Sequence, residues 1–131
     1  IRAVQWRKGG TYGGPVPRDY SINMNRKERR LALKSALATK ANDGELIVLD
    51  SLKLETPKTK EMVAVLNNLQ VTDKKVLVVV PEIEENLLFA ASNLQNVLLE
   101  EVSEINVLDI VTSDYMVVTE DALKQIEEVL A

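Results

Sequence analysis

Four short apolar runs lie in the last two thirds of the chain, at residues 46–49, 76–80, 97–99 and 116–118. They consist almost entirely of Val, Leu, Ile and Met, and none of them alternates strictly between apolar and polar positions. Continuous apolar runs of this length are typical of strands that are buried on both faces. The pattern predicts four strands of one sheet, and spacing alone leaves their order open.

Helical segments separate these runs. We predict helices at about residues 57–69, with Thr56 as cap and Pro57 in the first position, at about 83–92, at 106–111 and after Thr119. Connections of this length favour parallel strands joined by right-handed crossovers. The predicted fold class is therefore α/β, a three-layer α/β/α structure with a mainly parallel four-stranded sheet.

Another helix is predicted ahead of the first strand. Asn25 followed by Glu28 fits a capping box, which opens a helix from Arg26 to about Lys40, and residues 42–44 (Asn-Asp-Gly) end it. The two sides of this helix differ, because four-residue spacing gathers basic residues on one side and apolar residues on the other. The basic side carries Arg26, Lys27, Arg30 and Lys34, and the apolar side carries Ala32, Leu33, Ala36 and Leu37.

The first 24 residues show no apolar period and contain glycine pairs and prolines that interrupt regular structure. We predict an extended basic arm at residues 1–24, part of a long loop, followed by a globular α/β domain at residues 25–131. Because the sequence starts with Ile1 rather than Met, we expect Ile1 to be an internal position of a longer protein.

Charge is divided unequally along the chain. Residues 1–40 hold ten Lys and Arg against two acidic residues, whereas residues 41–131 hold six against eighteen. Such asymmetry favours an anionic partner for the basic segment, although a basic arm can also merely solubilise the chain or pair with the acidic domain. Interleaved cations, aromatic rings and glycines favour RNA, since they neutralise phosphates, stack on bases and allow close approach. These residues are Arg2, Trp6, Arg7, Lys8, Gly9, Gly10, Tyr12 and Arg18.

Composition excludes several classes of function. The chain has no cysteine and no histidine, which removes Ser-His-Asp and Cys-His catalysis and most zinc sites. No apolar stretch is long enough to span a membrane, and the start lacks the apolar centre of a signal peptide. We therefore expect no metal site, no cofactor and no membrane partner.

Asp50 and Ser51 follow the first predicted strand, where doubly wound sheets place catalytic or phospho-acceptor groups. Strand ends also become polar without any chemical role, and this interpretation is favoured because no acidic pair can be assigned to a neighbouring strand. The alternative function is accordingly a small-molecule-binding or phosphotransfer α/β domain with an incidental basic tail.

Further charged residues lie in the second part of the chain. Lys58 and Lys60 lie near the start of a predicted helix, where cations oppose the helix dipole, so they indicate an anion nearby and join the candidate RNA-binding residues. The acidic sets are interpreted without chemistry: one as favourable charges at a helix start and the other as a solvated surface. They comprise Glu82, Glu84 and Glu85, and Glu100, Glu101 and Glu104.

The stretch QWRKGGTYGGPVPRDYSINMNRKERRLALKSALATK at residues 5–40 resembles the fourth protein family of the large ribosomal subunit, bacterial type. The later segments LETPKTKEM, NVLDIV and EDALKQIEEVL resemble the body of the same family, so the likeness runs through the whole chain. The resemblance implies a three-layer α/β/α body, in agreement with the pattern of strands and helices.

The resemblance further implies a cytoplasmic ribosomal protein without enzyme activity or catalytic residues. Its implied partners are large-subunit ribosomal RNA, which it binds early in assembly, and neighbouring ribosomal proteins. A long loop would reach the peptide exit tunnel, and binding to its own messenger RNA is left open. By position, the returning limb of that loop would include Arg2, Gln5, Trp6, Arg7, Lys8, Gly9 and Gly10. Arg18, Arg26, Arg29, Arg30 and Lys34 would lie where the loop rejoins the body.

Overall fold

Five helices and four strands follow one another in residues 2–130, the part of the chain that the computed structural model describes. Ile1, expected to be an internal position, lies outside this range. In chain order the elements are α1 (Arg26–Asn42), β1 (Leu46–Leu49), α2 (Thr59–Asn68), β2 (Val76–Val80), α3 (Glu85–Ala91), β3 (Val97–Glu101), α4 (Val107–Thr112), β4 (Tyr115–Thr119) and α5 (Glu120–Leu130).

The four strands form one sheet in the order β1-β4-β2-β3, and every neighbouring pair is parallel. Val117 of β4 lies between Ile47 of β1 and Val78 of β2 in the register. The predicted parallel α/β sheet is thus confirmed. Its order was not readable from the sequence, because nothing in the spacing of the strands indicates that the last one inserts between the first two.

Helices cover both faces of the sheet, which confirms the predicted three layers. On one face, side chains such as Val76 and Val78 pack in a core with Met62 of α2 and Leu87 of α3. On the other face, a second core combines alternate strand residues with apolar residues of α1, α4 and α5. This core includes Leu77, Val79, Met116, Val118, Ala36, Ile110, Ala122 and Ile126.

The expectation of strands buried on both faces holds for the centre of the sheet and fails at its edges. All five residues of β2 are buried. In the edge strands, Val48 and Leu98 remain 46% and 44% exposed. An edge strand has a neighbour on one side only, so its apolar side chains lack part of the cover that a central strand receives.

Helix α1 begins where the capping box predicts and ends at Asn42, about two residues beyond the expected end. The backbone N–H of Asn25 donates to the Glu28 carboxylate at 3.1 Å. Gly44 then has a φ of +72°, a backbone conformation that glycine adopts more readily than other residues. The predicted apolar side packs inward, with Ala36 buried in the second core.

Lys40, near the end of α1, is a buried cation. Its ammonium donates to the Glu45 carboxylate at 2.6 Å and to the Ser113 carbonyl at 2.6 Å. The Lys40 side chain is 10% exposed and that of Glu45 is 38% exposed. Because Ser113 directly precedes the β4 region, this contact ties the end of α1 to the middle of the sheet.

Two helix starts were predicted too early. Helix α2 begins at Thr59 with Lys58 in the cap position, not at Pro57 with Thr56 as cap. The Thr56 N–H and hydroxyl both donate to the Glu61 carboxylate, so Thr56 fixes the approach to the helix from outside it. Helix α3 begins at Glu85 rather than near residue 83.

Glu100 corrects the expectation of a solvated acidic surface at residues 100–104. It lies in β3 opposite Val79, is 8% exposed, and its Oε2 atom has no hydrogen-bond partner among residues 2–130. Burial, together with the nearby Asp109 carboxyl, raises the pKa of Glu100 to about 7. Glu101, also in β3, is partly buried, so Glu104 is the one member of this acidic set that is exposed.

Candidate nucleic-acid interface

From Arg2 to Asn25 the backbone contains turns and bends and no helix or strand. Two turns follow each other near the start: the Trp6 N–H donates to the Ala3 carbonyl at 3.1 Å, and the Gly9 N–H donates to the Trp6 carbonyl at 2.8 Å. The Arg2 guanidinium also donates to the Lys8 carbonyl at 3.4 Å. This part of the basic arm is therefore locally folded by its own backbone.

Gly9 is required by that folding. A Cβ atom at this position would lie 2.2 Å from the Ala3 carbonyl oxygen and 2.8 Å from that of Trp6, both of which belong to backbone. Gly10 has more room, with its nearest such atom 3.5 Å away. Gly9 thus serves the turn in the arm itself, whereas the sequence suggested only that it allows approach to RNA.

The candidate side chains of the arm point into solvent. Trp6 is 60% exposed and Tyr12 is 87% exposed, although rings of this size are usually covered in folded proteins. The polar candidates are exposed as well: Arg2, Gln5, Arg7, Lys8 and Arg18. These cations and rings are free to contact a ligand, since the folded domain does not bury them.

Tyr20 extends this set and was missed by the sequence analysis. The Arg18 guanidinium lies 4.5 Å from the centre of the Tyr20 ring, and the ring is 73% exposed. Stacking of this kind holds a guanidinium in a fixed orientation while leaving its edge available. The spacing of two residues in extended backbone, which puts both side chains on one side, was the available signal.

Helix α1 presents the second group of cations. Arg26, Lys27, Arg29, Arg30 and Lys34 are all exposed, while the opposite side of the helix packs against the sheet. The helix therefore carries its basic residues on a rigid element, directly after the arm. The exposed cations of the arm and of α1 are together called the basic surface here; they lie between Arg2 and Lys34 along the chain.

The acidic domain does not neutralise this surface within residues 2–130. Three ion pairs occur there, Lys40–Glu45, Lys53–Glu84 and Lys124–Glu120, and none uses a cation of the arm or of the exposed side of α1. Asp19, an acidic residue within the arm, instead accepts hydrogen bonds from the N–H and hydroxyl of Ser21, which lower its pKa. Internal pairing of the basic arm is thus not observed.

Comparison with known proteins identifies the family. The model of the ribosomal protein L4/L1 family matches residues 1–129. The chain belongs to this family. It is 50% identical over 131 residues to the large ribosomal subunit protein uL4 of Brevibacillus brevis. It is 52% and 51% identical over the same length to the proteins of that name from Alkaliphilus oremlandii and Alkaliphilus metalliredigens.

These matches cover the whole chain but only part of each relative. The chain spans 63% of the length of the three L4 relatives named above. The family resemblance inferred from residues 5–40 and from the later segments is confirmed, and so is the three-layer fold that it implied.

Lys58 and Lys60 do not join the basic surface of the L4 chain in the structure. Both are exposed, but they precede and begin α2, which packs on the opposite face of the sheet from α1. Neither takes part in an ion pair among the described residues. A ligand contacting both α1 and α2 would have to wrap around the sheet.

Asp50, the candidate for the alternative function, lies just after β1 at the carboxyl edge of the sheet. It lines a cleft with acidic residues that follow the neighbouring strands, namely Glu82, Glu84 and Asp121. Across residues 2–130, no three His, Cys, Asp or Glu side chains are grouped so that they could hold a metal ion. The acidic neighbours that sequence could not assign are therefore present, but without the geometry of a metal-dependent phosphotransfer site.

Within residues 2–130, no helix is both long enough and apolar enough to cross a membrane.

Proposed function

We propose that this chain is part of a structural protein of the large ribosomal subunit that binds large-subunit ribosomal RNA through the basic arm and the exposed side of α1. Family membership and the names of the relatives support the ribosomal assignment. The observation that carries the RNA-binding part is that the cations of the arm and of the outer side of α1 are all exposed, and that none of them forms an ion pair with the acidic domain within residues 2–130.

The side chains of the arm and those of α1 both suit RNA. In the arm, exposed rings such as Trp6 and Tyr12 offer stacking surfaces for unpaired bases beside guanidinium groups that bind phosphate. In α1, the cations are fixed to a helix that is anchored on the core, so they lose little freedom when they bind. The arm would adapt to the shape of the RNA while the helix fixes the orientation of the domain.

We extend the proposal to the finer roles that the resemblance implies. The arm belongs to a loop that threads through ribosomal RNA to the peptide exit tunnel, and binding occurs early in assembly of the subunit. Neighbouring ribosomal proteins complete the surroundings in the cytoplasmic ribosome. Lys58 and Lys60 contact a separate RNA segment, since they lie across the sheet from α1. No catalytic step is assigned to the domain.

Salt dependence provides a direct test on the full chain. If about eight phosphates are contacted, affinity for purified large-subunit ribosomal RNA should fall on the order of ten-thousandfold between 50 and 200 mM salt. Filter binding at a series of salt concentrations measures this slope. An affinity that stays nearly constant over the range would contradict binding through phosphates.

Charge-matched variants locate the contact. Replacing Arg26, Arg29 and Arg30 by Gln should weaken RNA binding by about a hundredfold at low salt and reduce the salt slope. The control replaces Lys53, Lys74 and Lys75, which are equally exposed in the domain, by Gln and changes the net charge by the same amount. Equal losses in both variants would show that only net charge matters and would overturn the assignment to α1.

The protein's own messenger RNA is a second anionic ligand for the same surface. Competition between that messenger and the ribosomal RNA for the full chain distinguishes one shared site from two. Mutually exclusive binding supports a shared basic surface, whereas simultaneous binding contradicts it.

A further inference from the structure

The cleft at the carboxyl edge of the sheet lies where the chain leaves the ends of three neighbouring strands. After β1 and β2 the chain turns to the face that α2 and α3 cover, whereas after β4, between them, it turns to the face that α5 covers. Chain segments that turn to opposite faces of the sheet leave a crevice outside the strand ends. Open α/β sheets bind ligands in such crevices. This site is independent of the proposed RNA-binding surface.

Carboxylates that follow all three strands line the cleft: Asp50 after β1, Glu82 and Glu84 after β2, and Asp121 in the first turn of α5, which begins directly after β4. All four residues are exposed at its rim. Lys53 is the single cation of the lining; its ammonium is 3.9 Å from Glu84, and its side chain is 77% exposed. An ion pair at this distance between exposed groups is weak, so another cation can take the place of Lys53.

Thr119 supplies an independent sign of a ligand. It is the last residue of β4, lines the same cleft and is 6% exposed. Its hydroxyl oxygen is buried and has no hydrogen-bond partner in the described chain. Buried hydroxyls are normally satisfied, so an unpartnered one in the wall of a cleft calls for a donor that comes from outside.

The ligand is not a bare metal ion, because the carboxylates of residues 2–130 are nowhere grouped to chelate one. The cleft has an inner part of about 80 Å³ and an outer part of about 510 Å³. Gln125 and Asp121 extend the wall of the outer part. Separated carboxylates along an elongated space match a ligand with separated positive charges.

We infer that this cleft binds a linear aliphatic polyamine. A terminal ammonium group donates to the Thr119 hydroxyl and to Asp50, and a second ammonium lies between Glu82 and Asp121 in the outer part, displacing Lys53 from Glu84. An ammonium has three donors and no acceptor, which fits a wall of carboxylates and one unsatisfied hydroxyl oxygen. The strongly acidic domain, with eighteen acidic against six basic residues in 41–131, raises the local concentration of such cations.

Calorimetric titration of the full chain with spermidine, at moderate salt and without RNA, tests the inference. One saturable site is expected. Glu82→Gln with Asp121→Asn should weaken binding about tenfold, and the nearly isosteric Thr119→Val about fivefold, because each removes acceptors for an ammonium. The control pair Glu127→Gln and Glu128→Gln carries the same charge change on the exposed side of α5 outside the cleft and should change affinity less than about twofold.

Three outcomes would overturn the inference. Equal weakening by the cleft pair and the control pair would show general attraction to an acidic surface. Displacement of spermidine by equimolar Mg²⁺ would show a site for a divalent ion. Tighter binding of a tetralysine peptide than of spermidine would show that the cleft docks a basic polypeptide. Thermal unfolding of each variant confirms that the protein is folded, so loss of binding is attributable to the site.

Discussion

The basic surface and the acidic domain follow opposite structural rules. In the arm, the large rings and the cations stay in solvent, and the few hydrogen bonds are local. In the domain, β2 is entirely buried and two cores enclose the sheet. The difference separates two properties of one chain: the proposed RNA contacts lie where burial is least, and stability resides where burial is greatest.

Helix α1 is the element that belongs to both regions. Its exposed side continues the basic surface, while Ala36 on the other side lies in the second core and Lys40 is held by Glu45 and Ser113. A change in α1 can therefore affect binding, stability or both, depending on the side that is altered. The following predictions use this division, from the largest expected effect to the smallest.

Deleting residues 1–20 should have the largest effect. RNA affinity should fall by on the order of a thousandfold, because four cations and three exposed rings, Trp6, Tyr12 and Tyr20, are lost. The midpoint of urea unfolding should stay the same, since residues 2–20, the described part of the deleted segment, contribute nothing to either core. Loss of folding on deletion would contradict the division into arm and domain.

Glu100 should make stability depend on pH. Its pKa is raised from 4.5 to about 7 in the folded protein, so the folded state holds this proton more tightly than the unfolded state. Protonated Glu100 therefore contributes up to about 3 kcal/mol to the free energy of unfolding. This contribution is complete below pH 4.5 and is lost as the pH rises through 7.

The variant Glu100→Gln should remove this pH dependence and unfold at higher urea concentration than the natural protein at pH 8. Urea unfolding of both proteins between pH 4 and 8 measures the change. Glu104→Gln is the matched control, because Glu104 is exposed and carries the same charge. If the free energy of unfolding of the Glu100 variant depended on pH as it does in the natural protein, another group would be responsible for the pH dependence.

Replacing Lys40 by Met should destabilise the domain by about 2 kcal/mol, because the buried Ser113 carbonyl loses its donor and Glu45 loses its cation. The estimate is below that for a fully buried pair, since Glu45 is 38% exposed and can be hydrated. RNA affinity should fall only severalfold, as the end of α1 becomes less firmly fixed. Urea unfolding and filter binding measure the two effects. Lys34→Met, on the exposed side, should weaken RNA binding more than it lowers stability.

Tyr20→Leu should give the smallest effect, a two- to fivefold loss of RNA affinity with no change in stability. The Arg18 guanidinium loses the ring that orients it at 4.5 Å, a contact worth about 0.5–1 kcal/mol at an exposed site. Filter binding with Tyr20→Phe as control separates the ring from its hydroxyl. A loss in the Phe variant equal to that in the Leu variant would point to the hydroxyl instead.

Much of the fold could be predicted because its local signals agree with one another. The apolar runs marked all four strands, and the capping residues Asn25 and Glu28 marked the start of α1. The central position of β4 could not be predicted, because strand order depends on packing between distant segments. The start of α2 was misplaced because Thr56 bonds to the Glu61 side chain, and the sequence does not distinguish this arrangement from a regular cap.

The candidate site was predictable in outline for a different reason. Cations and rings in a segment without an apolar pattern are expected to stay exposed, because nothing in the sequence indicates that the domain buries them. The cations between Arg2 and Lys34 follow this pattern. Tyr20 and the role of Gly9 in its own turn depend on geometry between side chain and backbone, which composition does not contain. Burial of Glu100 was missed because an acidic run on the sequence gave no sign of which member faces the core.

The strand order also bears on how the protein is made. Because β4 occupies the position between β1 and β2, the sheet has a gap at its centre until residues 115–119 have been synthesised. The cationic arm leaves the ribosome more than ninety positions earlier in the chain. During translation there is thus an interval in which a nascent chain exposes its cationic arm while its domain is still unfinished. Pairing between such distant segments is a slow kind of folding step.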